Sequence, residues 1–235
     1  MAYRFFVNPI AGNGIAEKKW RSLQIYLNEQ SIAYDVFFSK TSGAIEEQMR
    51  LLNQDQSQLV IIGGDGTLHE AINGLMKDKA QGLQRPLAYI SAGSGNDFAR
   101  SHHLSGDPIT AFKRIHQQIN NQDVTLLDVG EYINESTGMV RYFVNNIGIG
   151  IDATTVAFAN QSKIKRWLNK YHLGGLSYFL AIFQSLTKQD AFDVVFTLKD
   201  QQKNLHTDKA FLITVSNQPY FGGGIKILPD ASSVD

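Results

Sequence analysis

The chain has 235 residues, 43% of them hydrophobic, with a formal net charge of zero and no cysteine. That length suits one large domain or two small ones with a buried core. The neutral balance does not mark a nucleic-acid binder, and the lack of cysteine excludes disulfides, thiolate zinc sites and cysteine nucleophiles. Because no stretch has the length of a signal peptide core or of a membrane-spanning helix, we expect a soluble cytoplasmic protein.

Apolar strands alternate with helical patterns in the first half of the chain. The strands are predicted at Tyr3–Val7, Ala33–Phe38, Leu59–Ile62, Leu87–Ile90 and Val124–Val129. The helices are predicted at Ala16–Glu29, Ala44–Asn53, Thr67–Met76, from Phe98 onward and through Ile109–Ile119. This alternation indicates an α/β domain with a parallel sheet, in which ligands bind at the carboxyl ends of the strands.

The pattern changes after Asp128, so we predict two domains, residues 1–129 and residues 130–235. In the second, Tyr132-Ile133 and Tyr142–Asn145 flank a polar turn, NESTGM, which predicts a hairpin. Further elements are predicted as helices at Ala153–Lys170 and Leu176–Lys188, and as antiparallel strands at Phe192–Leu198 and Ala210–Val215. The second domain is therefore expected to combine helices with antiparallel strands, an α+β arrangement.

The stretch VIIGGDGTLHEAINGL, Val60 to Leu75, places three glycines between an apolar strand and a helix. Glycine lets main-chain N–H groups approach a phosphate closely, and the helix beginning at Thr67 adds its positive N-terminal end. Asp65 beside bound phosphates requires a cation, for which Mg²⁺ is the usual choice. The alternative is a plain glycine-rich turn with Asp65 as a cap, but the strand before it and the helix after it favour phosphate binding.

Two further glycine-containing loops follow predicted strands. They are VNPIAGNG at Val7–Gly14 and ISAGSGNDFAR at Ile90–Arg100. Each alone could be an ordinary strand-to-helix turn, with Asp97 as an N-cap, and Arg100 could neutralise a phosphate or pair with Asp97. Because the carboxyl ends of parallel strands meet at one edge, the three loops together predict one crevice for a nucleoside triphosphate.

The motifs NPIAG, GGDGTLHEAINGL and GSGNDFAR, in this order and spacing, resemble the diacylglycerol kinase catalytic-domain family. This family includes the bacterial soluble lipid kinases and the sphingosine kinases. LLDVG and FGGGIKILPDA extend the resemblance over essentially the whole chain. GGDGT alone is shared with NAD kinases, whereas GSGNDFAR together with LLDVG is more particular to the lipid kinases. The resemblance implies two domains, of which the second is β-rich (α+β) and resembles an antiparallel sandwich. The lipid is expected in the cleft between them, where Asn217 and Gly222–Gly224 are also expected.

The resemblance also implies which residues bind ATP and Mg²⁺. The expected nucleotide contacts are Asn8, Pro9, Ile10, Ala11, Gly12, Ser39 or Thr41, Gly63, Gly64, Asp65, Gly66, Thr67, Leu68, His69, Glu70, Ser94 and Asn96. The expected catalytic residues are Asp65, Asp97 and Asp128, in a water-linked acidic network around the catalytic Mg²⁺. Ser232 and Asp235 match part of a structural Mg²⁺ site of some bacterial members. His69 occupies a position where many family members have Asn. It is either a subfamily difference that keeps a hydrogen-bonding side chain or a helix-surface residue without a role.

The family pattern continues past the point where this chain ends, at SSVD. It runs through a motif ending in Leu-Asp, whose Asp is the expected general base, and then returns to complete the first domain. We therefore expect a lipid kinase truncated at its C-terminus, which would be inactive or much impaired if residue 235 is the true end.

The expected activity is an ATP- and Mg²⁺-dependent lipid kinase that converts diacylglycerol to phosphatidic acid. The alternatives are an NAD kinase-like enzyme and a catalytically impaired, nucleotide-binding regulatory protein. The expected partners are a lipid at the inner membrane face, met by peripheral contact, and a second copy in a homodimer. The basic, aromatic segment Gln161–Gly175 either contacts anionic head groups or is a solvated helix face.

Overall fold

The structure, a computed structural model, describes residues 2–52, 56–77, 85–150, 190–198 and 203–234. The chain forms two compact units: Met1–Asn145 together with Ser216–Asp235, and Asn146–Val215. The first unit is an α/β structure, and the described residues of the second are mainly in β-strands. The predicted domain boundary near residue 130 stays a prediction.

A four-stranded parallel sheet forms the centre of the first unit. In the order of the sheet, its strands are β2 (Tyr34–Phe38), β1 (Tyr3–Val7), β3 (Gln58–Gly63) and β4 (Leu87–Ser91). Val7 lies opposite both Phe38 and Ile62, and Ile62 lies opposite Ile90. Because all four strands end at the same level, the loops that follow them emerge along a single edge, as the sequence predicted.

Within the described residues of the first unit, five helices cover the two faces of this sheet. They are α1 (Ala11–Glu29), α2 (Ala44–Arg50), α3 (Asp65–Met76), α4 (Asp97–Ser101) and α5 (Pro108–Asn120). Phe5 packs in a core with Trp20 of α1 and Phe112 of α5, whereas its neighbour Phe6 packs with Ile45 and Leu68 on the opposite face. Strands buried on both faces explain the continuous apolar runs in the sequence. No helix in the described ranges is long and apolar enough to cross a membrane.

The first helix begins irregularly. Gly12, Asn13 and Gly14 have φ of 58°, 56° and 87°, so the regular helix starts after Gly14. This agrees with the predicted start at Ala16. The predicted second helix was too long, because it ends at Arg50 rather than at Asn53.

The predicted strand at Val124–Val129 is wrong. Residues 123–129 form no ladder with any strand of the described chain, and Val124 and Leu126 are 55% and 78% exposed. Apolar alternation predicts a strand only where a partner strand supplies hydrogen bonds and one face is covered. Here the backbone of Asp128 instead donates one hydrogen bond, of 2.8 Å, to the carbonyl of Ser233.

The predicted hairpin is confirmed. It consists of β5 (Gly130–Asn134) and β6 (Met139–Phe143), which pair antiparallel. The side chain of Asn73 in α3 fixes β6, since its oxygen accepts from the amide of Tyr142 at 3.0 Å and its nitrogen donates to the Tyr142 carbonyl at 2.9 Å. Two side-chain bonds to one residue's backbone hold the hairpin against α3.

The second unit contains two pairs of strands in its described part. β7 (Asn146–Gly150) pairs with β10 (Leu212–Ser216), and β8 (Phe192–Leu198) pairs antiparallel with β9 (Lys203–Ala210). The predicted strands at 192–198 and 210–215 are confirmed, whereas β9 was missed because its sequence, KNLHTDKA, is largely polar. The helices predicted at 153–170 and 176–188, and the basic segment Gln161–Gly175, lie outside the described residues.

The chain leaves and re-enters the first unit at one place. The amide of Asn217 donates to the carbonyl of Asn145 at 2.8 Å, and the Ser216 hydroxyl donates to the same oxygen at 3.3 Å. After this point the chain forms the short pair β11 (Tyr220–Phe221) and β12 (Ile225–Lys226), joined by three glycines. Residues 216–234 therefore belong with the first unit.

Candidate functional site

Three loops meet at the carboxyl edge of the sheet. We call them the first loop (Asn8–Gly14), the second loop (Gly63–Gly66) and the third loop (Ala92–Asn96). A Cβ atom at Gly12 would lie 2.4 Å from the carbonyl oxygen of Ala92, and a Cβ at Gly93 would lie 2.6 Å from the Cα of Gly64. The glycines therefore allow the backbones of the three loops to touch, and the structure brings together the loops that the sequence singled out.

The second loop leads into α3, whose first turn begins on the Gly64 carbonyl. That oxygen accepts from the amides of Thr67 and Leu68 at 2.9 and 3.1 Å. Thr67 makes no side-chain cap. Its buried hydroxyl accepts instead from the side chain of Asn8 at 3.2 Å. This bond ties the first loop to α3, and the Thr67 hydroxyl keeps its own hydrogen for a further acceptor.

The carbonyl of Gly63 is held by two donors from β4 and its end. The Ala92 amide donates to it at 2.6 Å, and the buried Tyr89 hydroxyl donates at 3.1 Å. Burial raises the pKa of Tyr89 well above its ordinary value, and the negative charge of Asp65 adds to the effect. Tyr89 is therefore a neutral donor that fixes the second loop. Sequence analysis missed this role because Tyr89 lies in an apolar run that predicts only core packing.

Asp65 lies at the start of α3 and faces the start of α4. Its two carboxylate oxygens accept from the amides of Asp97 and Phe98, each at 3.3 Å. The first N–H groups of a helix have no partner within the helix, so a carboxylate there is stabilising. Asp65 thus joins the second loop to the helix that follows the third loop.

Asp97 is 7% exposed, and both of its oxygens are occupied. Oδ1 accepts from the Arg100 guanidinium at 2.8 Å, and Oδ2 accepts from the backbone amide of Gly223 at 2.9 Å. Burial raises the pKa of Asp97, and the negative charge of Asp65 raises it further. The hydrogen bond from Gly223 and the positive charge of Arg100 act in the opposite direction and lower this pKa. Two adjacent carboxylates, one of them buried, form a site that a cation would stabilise.

The segment that reaches Asp97 is a tight turn, which we call the C-terminal glycine loop (Gly222–Gly224). Its residues have φ of 62°, 95° and 109°. The Arg100 guanidinium lies against this loop, since a Cβ at Gly224 would be 2.9 Å from its Cζ. The same group lies 5.5 Å from the centre of the Tyr220 ring. The structure thus places the C-terminal glycine loop on α4 of the first unit.

Asp128, the third predicted acid, is tied through its backbone to the segment after β10. Its carbonyl accepts from the Asn217 side chain at 3.0 Å, and its amide donates to Ser233. Across the described part of the chain, no group of three His, Cys, Asp or Glu side chains is close enough to hold a metal ion. The water-linked network of Asp65, Asp97 and Asp128 stays a prediction. So does the pair of Ser232 and Asp235, because Asp235 lies outside the described residues.

The remaining predicted nucleotide residues fall at the same edge but differ in what they do. Ser39 follows β2, where its amide donates to the Val7 carbonyl at 2.9 Å. Ser94 is exposed at the tip of the third loop. Asn96 turns inward, with its side chain accepting from the Gly93 amide at 2.7 Å and donating to the Gly93 carbonyl at 2.9 Å. Asn96 therefore shapes the third loop.

On α3, the predicted residues divide between the core and the surface, because Leu68 is buried at 3% exposure. His69 is exposed, and Glu70 accepts from the Ser42 hydroxyl at 3.4 Å. The carbonyl of Thr41 accepts a hydrogen bond from the amide of Ala44 at 3.4 Å. These contacts place the chain after β2 beside α3.

A lysine that sequence analysis did not single out also supports the third loop. Lys19 reaches from α1 to donate to the Ser91 carbonyl at 2.5 Å. Burial lowers the pKa of Lys19, and the nearby Asp107 carboxylate opposes the shift. Lysine on a helix usually indicates a solvated face, so only the fold shows that this one ends at the sheet edge.

Comparison with known proteins gives a consistent result. Residues 2–129 match the family model described as the diacylglycerol kinase catalytic domain, and residues 145–235 match that of the YegS C-terminal NAD kinase beta sandwich-like domain. A Bacillus subtilis (strain 168) protein named "Putative lipid kinase YtlR" is 29% identical over 233 residues, covering 97% of this chain and 72% of that protein. A protein of Staphylococcus saprophyticus named diacylglycerol kinase is 28% identical over 234 residues, and the match covers 99% of this chain and 69% of that protein.

The fold is also similar to that of a solved structure. A diacylglycerol kinase structure from Bacillus anthracis str. Sterne superposes with a TM-score of 0.67 at 24% identity. The match covers 100% of this chain and 70% of that one. The predicted fold class is thereby confirmed: an N-terminal α/β domain with a parallel sheet, followed by a β-rich domain.

Proposed function

Because the chain belongs to the diacylglycerol kinase catalytic-domain family, we propose that it transfers the γ-phosphate of ATP to the hydroxyl of a lipid. Mg²⁺ is the proposed metal and diacylglycerol the proposed acceptor. The observation that carries the proposal is the contact between the three glycine loops at the edge of the sheet, beside the N-terminus of α3 and Asp65. Lipid kinases and diacylglycerol kinases among the relatives support the acceptor class.

The three loops supply the groups that bind phosphate. The missing side chains at Gly12, Gly64 and Gly93 let the backbones of the three loops come together at one point, and α3 adds its positive end there. The Thr67 hydroxyl, held by Asn8, has a hydrogen to donate to a phosphate oxygen. Phosphoryl transfer depends on positioning and charge neutralisation, which rigid loops provide.

The acidic groups fit Mg²⁺ by their chemistry. Mg²⁺ in kinases is bound by one or two carboxylates together with substrate phosphates and water, so three direct protein ligands are not needed. Asp65 would hold it directly, and Asp97 would hold its water shell. The ion would neutralise charge that develops on the transferred phosphoryl group.

Arg100 and the C-terminal glycine loop act on Asp97 itself. With Arg100 on one oxygen and the Gly223 amide on the other, the carboxylate keeps one orientation. Neither Asp65 nor Asp97 is assigned as the base for the lipid hydroxyl, because both are engaged with the backbone of α4, Arg100 and Gly223. Their proposed role is to bind the cation and to keep the site in a fixed geometry.

The test is transfer of labelled phosphate from ATP, with Mg²⁺, to diacylglycerol in mixed micelles. We expect labelled phosphatidic acid, reduced at least about 100-fold in Asp65→Asn, the loss typical of removing one electrostatic group from a preorganised site. ATP binding and the unfolding temperature of Asp65→Asn are measured in parallel, so that loss of chemistry is separated from loss of fold.

Two outcomes would overturn the proposal in favour of its alternatives. Label on NAD, offered as a parallel acceptor, would indicate an NAD kinase-like enzyme, the alternative suggested by the shared GGDGT motif. ATP binding without transfer to any of diacylglycerol, sphingoid base or ceramide would indicate a nucleotide-binding regulatory protein.

Because the proposed acceptor is a lipid, the proposed reaction takes place at a membrane surface. The protein would reach the inner face of the membrane by peripheral contact. Sedimentation with vesicles containing diacylglycerol and anionic lipid checks this, with vesicles of neutral lipid as the control. The homodimer stays a prediction, which sedimentation equilibrium of the protein alone would test.

A further inference from the structure

The dipeptide Asn-Gly occurs twice in the chain, as Asn13-Gly14 in the first loop and as Asn73-Gly74 in α3. In such a pair the backbone nitrogen of the glycine can attack the side-chain amide carbon of the asparagine, because glycine has no Cβ to hinder the approach. The fold decides whether the asparagine can move into position for this attack. The two pairs lie in opposite surroundings.

Asn13-Gly14 is the open pair. The Asn13 side chain is exposed, and no hydrogen bond from any described residue holds it. Nothing lies within 4 Å of the Cβ position of Gly14. The Gly14 amide donates to the carbonyl of Ile10 across 3.4 Å, which is longer than an ordinary backbone hydrogen bond. The nitrogen that would attack is therefore only weakly retained.

Asn73-Gly74 is the closed pair. Asn73 is 3% exposed, and its side chain is bonded to both the amide and the carbonyl of Tyr142. A Cβ at Gly74 would lie 2.5 Å from the carbonyl oxygen of Glu46, so the backbone of this pair is packed against α2. The side-chain amide cannot turn toward the Gly74 nitrogen unless these contacts open.

We propose that Asn13 is a site of spontaneous deamidation, which converts it to aspartate or isoaspartate. The Gly14 nitrogen gives its proton to hydroxide and forms a bond to the Cγ of Asn13. The bond from Cγ to the side-chain nitrogen breaks, and that nitrogen takes up a proton and leaves as ammonia. Water then opens the cyclic imide: attack at the side-chain carbonyl gives aspartate, and attack at the backbone carbonyl gives isoaspartate. Water and hydroxide are the only co-reactants.

The backbone of the first loop favours this ring closure. The ψ of Asn13 must turn away from its value of 43° to bring the Gly14 nitrogen toward Cγ. Asn13 lies between two glycines, Gly12 and Gly14, which adopt new backbone angles at little cost. The φ of Asn13 is 56°, an unfavourable region for a residue with a side chain, so the turn also relieves strain.

The product would weaken the proposed phosphate site, and this second step rests on the proposed function. A carboxylate at position 13 is adjacent to Gly12 and repels phosphate. Isoaspartate also lengthens the backbone beside Gly12, whose Cβ position is 2.4 Å from the Ala92 carbonyl oxygen. Either change disturbs the contact between the first and third loops, so deamidation would limit the active lifetime of the protein.

The first test measures deamidation of the folded full chain in mildly alkaline buffer, by mass spectrometry of peptides that contain Asn13 or Asn73. Water enriched in heavy oxygen marks the product formed during the incubation. We expect Asn13 to deamidate at least about tenfold faster than Asn73, because Asn73 reacts only after its contacts open. In urea, where both pairs are unfolded, the two rates should become similar. Equal rates in the folded chain, or an unchanged Asn13, would overturn the proposal.

The second test compares ATP affinity of fresh and incubated protein by calorimetry in the presence of Mg²⁺. We expect the affinity of the deamidated wild-type chain to fall about three- to tenfold, the effect of one added charge near the phosphates. Asn13→Gln is the control, since its longer side chain closes the ring far more slowly and its affinity should not change during the incubation. Deamidation with unchanged ATP affinity would overturn the effect on the phosphate site. Fresh protein that binds no ATP would overturn the proposed function, while the deamidation is still decided by the mass measurement.

Discussion

The backbone amide of Gly223 donates to the buried carboxylate of Asp97 across 2.9 Å, joining residues that are 126 positions apart in the chain. Through this bond, the segment after β10 controls a side chain at the start of α4. Arg100 and Tyr220 extend the same contact, so the C-terminal glycine loop supports the proposed site without lying in the phosphate loops.

Gly223→Ala should therefore reduce catalysis more than nucleotide binding. Gly223 has a φ of 95°, which a side chain tolerates poorly, so we expect a loss of about 1–3 kcal/mol in the free energy of unfolding. Turnover should fall at least about fivefold with a nearly unchanged ATP dissociation constant. Gly138→Ala is the control, because Gly138 also has a positive φ, 67°, but nothing lies within 4 Å of its Cβ position. Equal turnover in the two variants would contradict the positioning role.

Asp97 should make stability depend on pH in a defined direction. Burial raises its folded-state pKa above the ordinary value of 3.8. Because the pKa is raised on folding, the Asp97 carboxyl contributes most to the free energy of unfolding below about pH 4. This contribution is lost as the pH rises through the folded-state pKa. The stability of the wild-type chain relative to Asp97→Asn should therefore decrease from about pH 4 toward neutrality. Urea denaturation of both proteins at several pH values checks this, and a relative stability that rises with pH would contradict it.

Gly12→Ala should disrupt the contact between the first and third loops. A Cβ there would lie 2.4 Å from the Ala92 carbonyl oxygen, at a φ of 58°. Because backbone must move to relieve this overlap, we expect ATP affinity to fall about tenfold or more and stability to fall by about 1–3 kcal/mol. Gly43→Ala has a similar positive φ, 82°, with nothing within 4 Å of its Cβ position, and should leave ATP affinity unchanged. Calorimetric titration with ATP measures both.

Asn73→Ala should destabilise the fold. Asn73 is 3% exposed, and its removal leaves the amide and the carbonyl of Tyr142 without these partners. A buried polar group that loses its partner costs about 1–3 kcal/mol, so the loss of these two bonds is expected to cost about 2–6 kcal/mol in total. Asn120→Ala, at the exposed end of α5, should change stability by less than about 0.5 kcal/mol. Thermal unfolding of both variants measures the difference, and equal values would contradict the role of Asn73.

Much of the α/β fold could be predicted because its signals are local. LVII is apolar throughout and YRFFV is apolar apart from Arg4, as expected of strands buried on both faces, and each leads into a glycine loop and a helix. The strand β9 was missed because KNLHTDKA lacks apolar alternation. Residues 124–129 were wrongly predicted as a strand because the apolar residues are present but no strand among the described residues pairs with them.

The candidate site was predicted in part for the same reason. The glycine loops have sequence signatures, whereas the side chains that fix them depend on distant neighbours. From the sequence, Tyr89 is predicted only to pack in the core, but in the structure its hydroxyl donates to the Gly63 carbonyl. Asn96 is predicted to contact the nucleotide, but its side chain accepts from the Gly93 amide. The bond between Asp97 and Gly223 has no local signal at all.

The meeting of Asn145 with Ser216 and Asn217 has a consequence for protein engineering. The ends of the first unit's two segments are already hydrogen-bonded to each other, so Asn146–Val215 enters and leaves at one point, as an inserted cassette does. A linker of a few residues could join Asn145 to Ser216, or carry a foreign cassette, without rerouting the rest of the chain. The loops and both partners of the bond between Asp97 and Gly223 lie in the first unit, so exchanging the second unit would leave them in place.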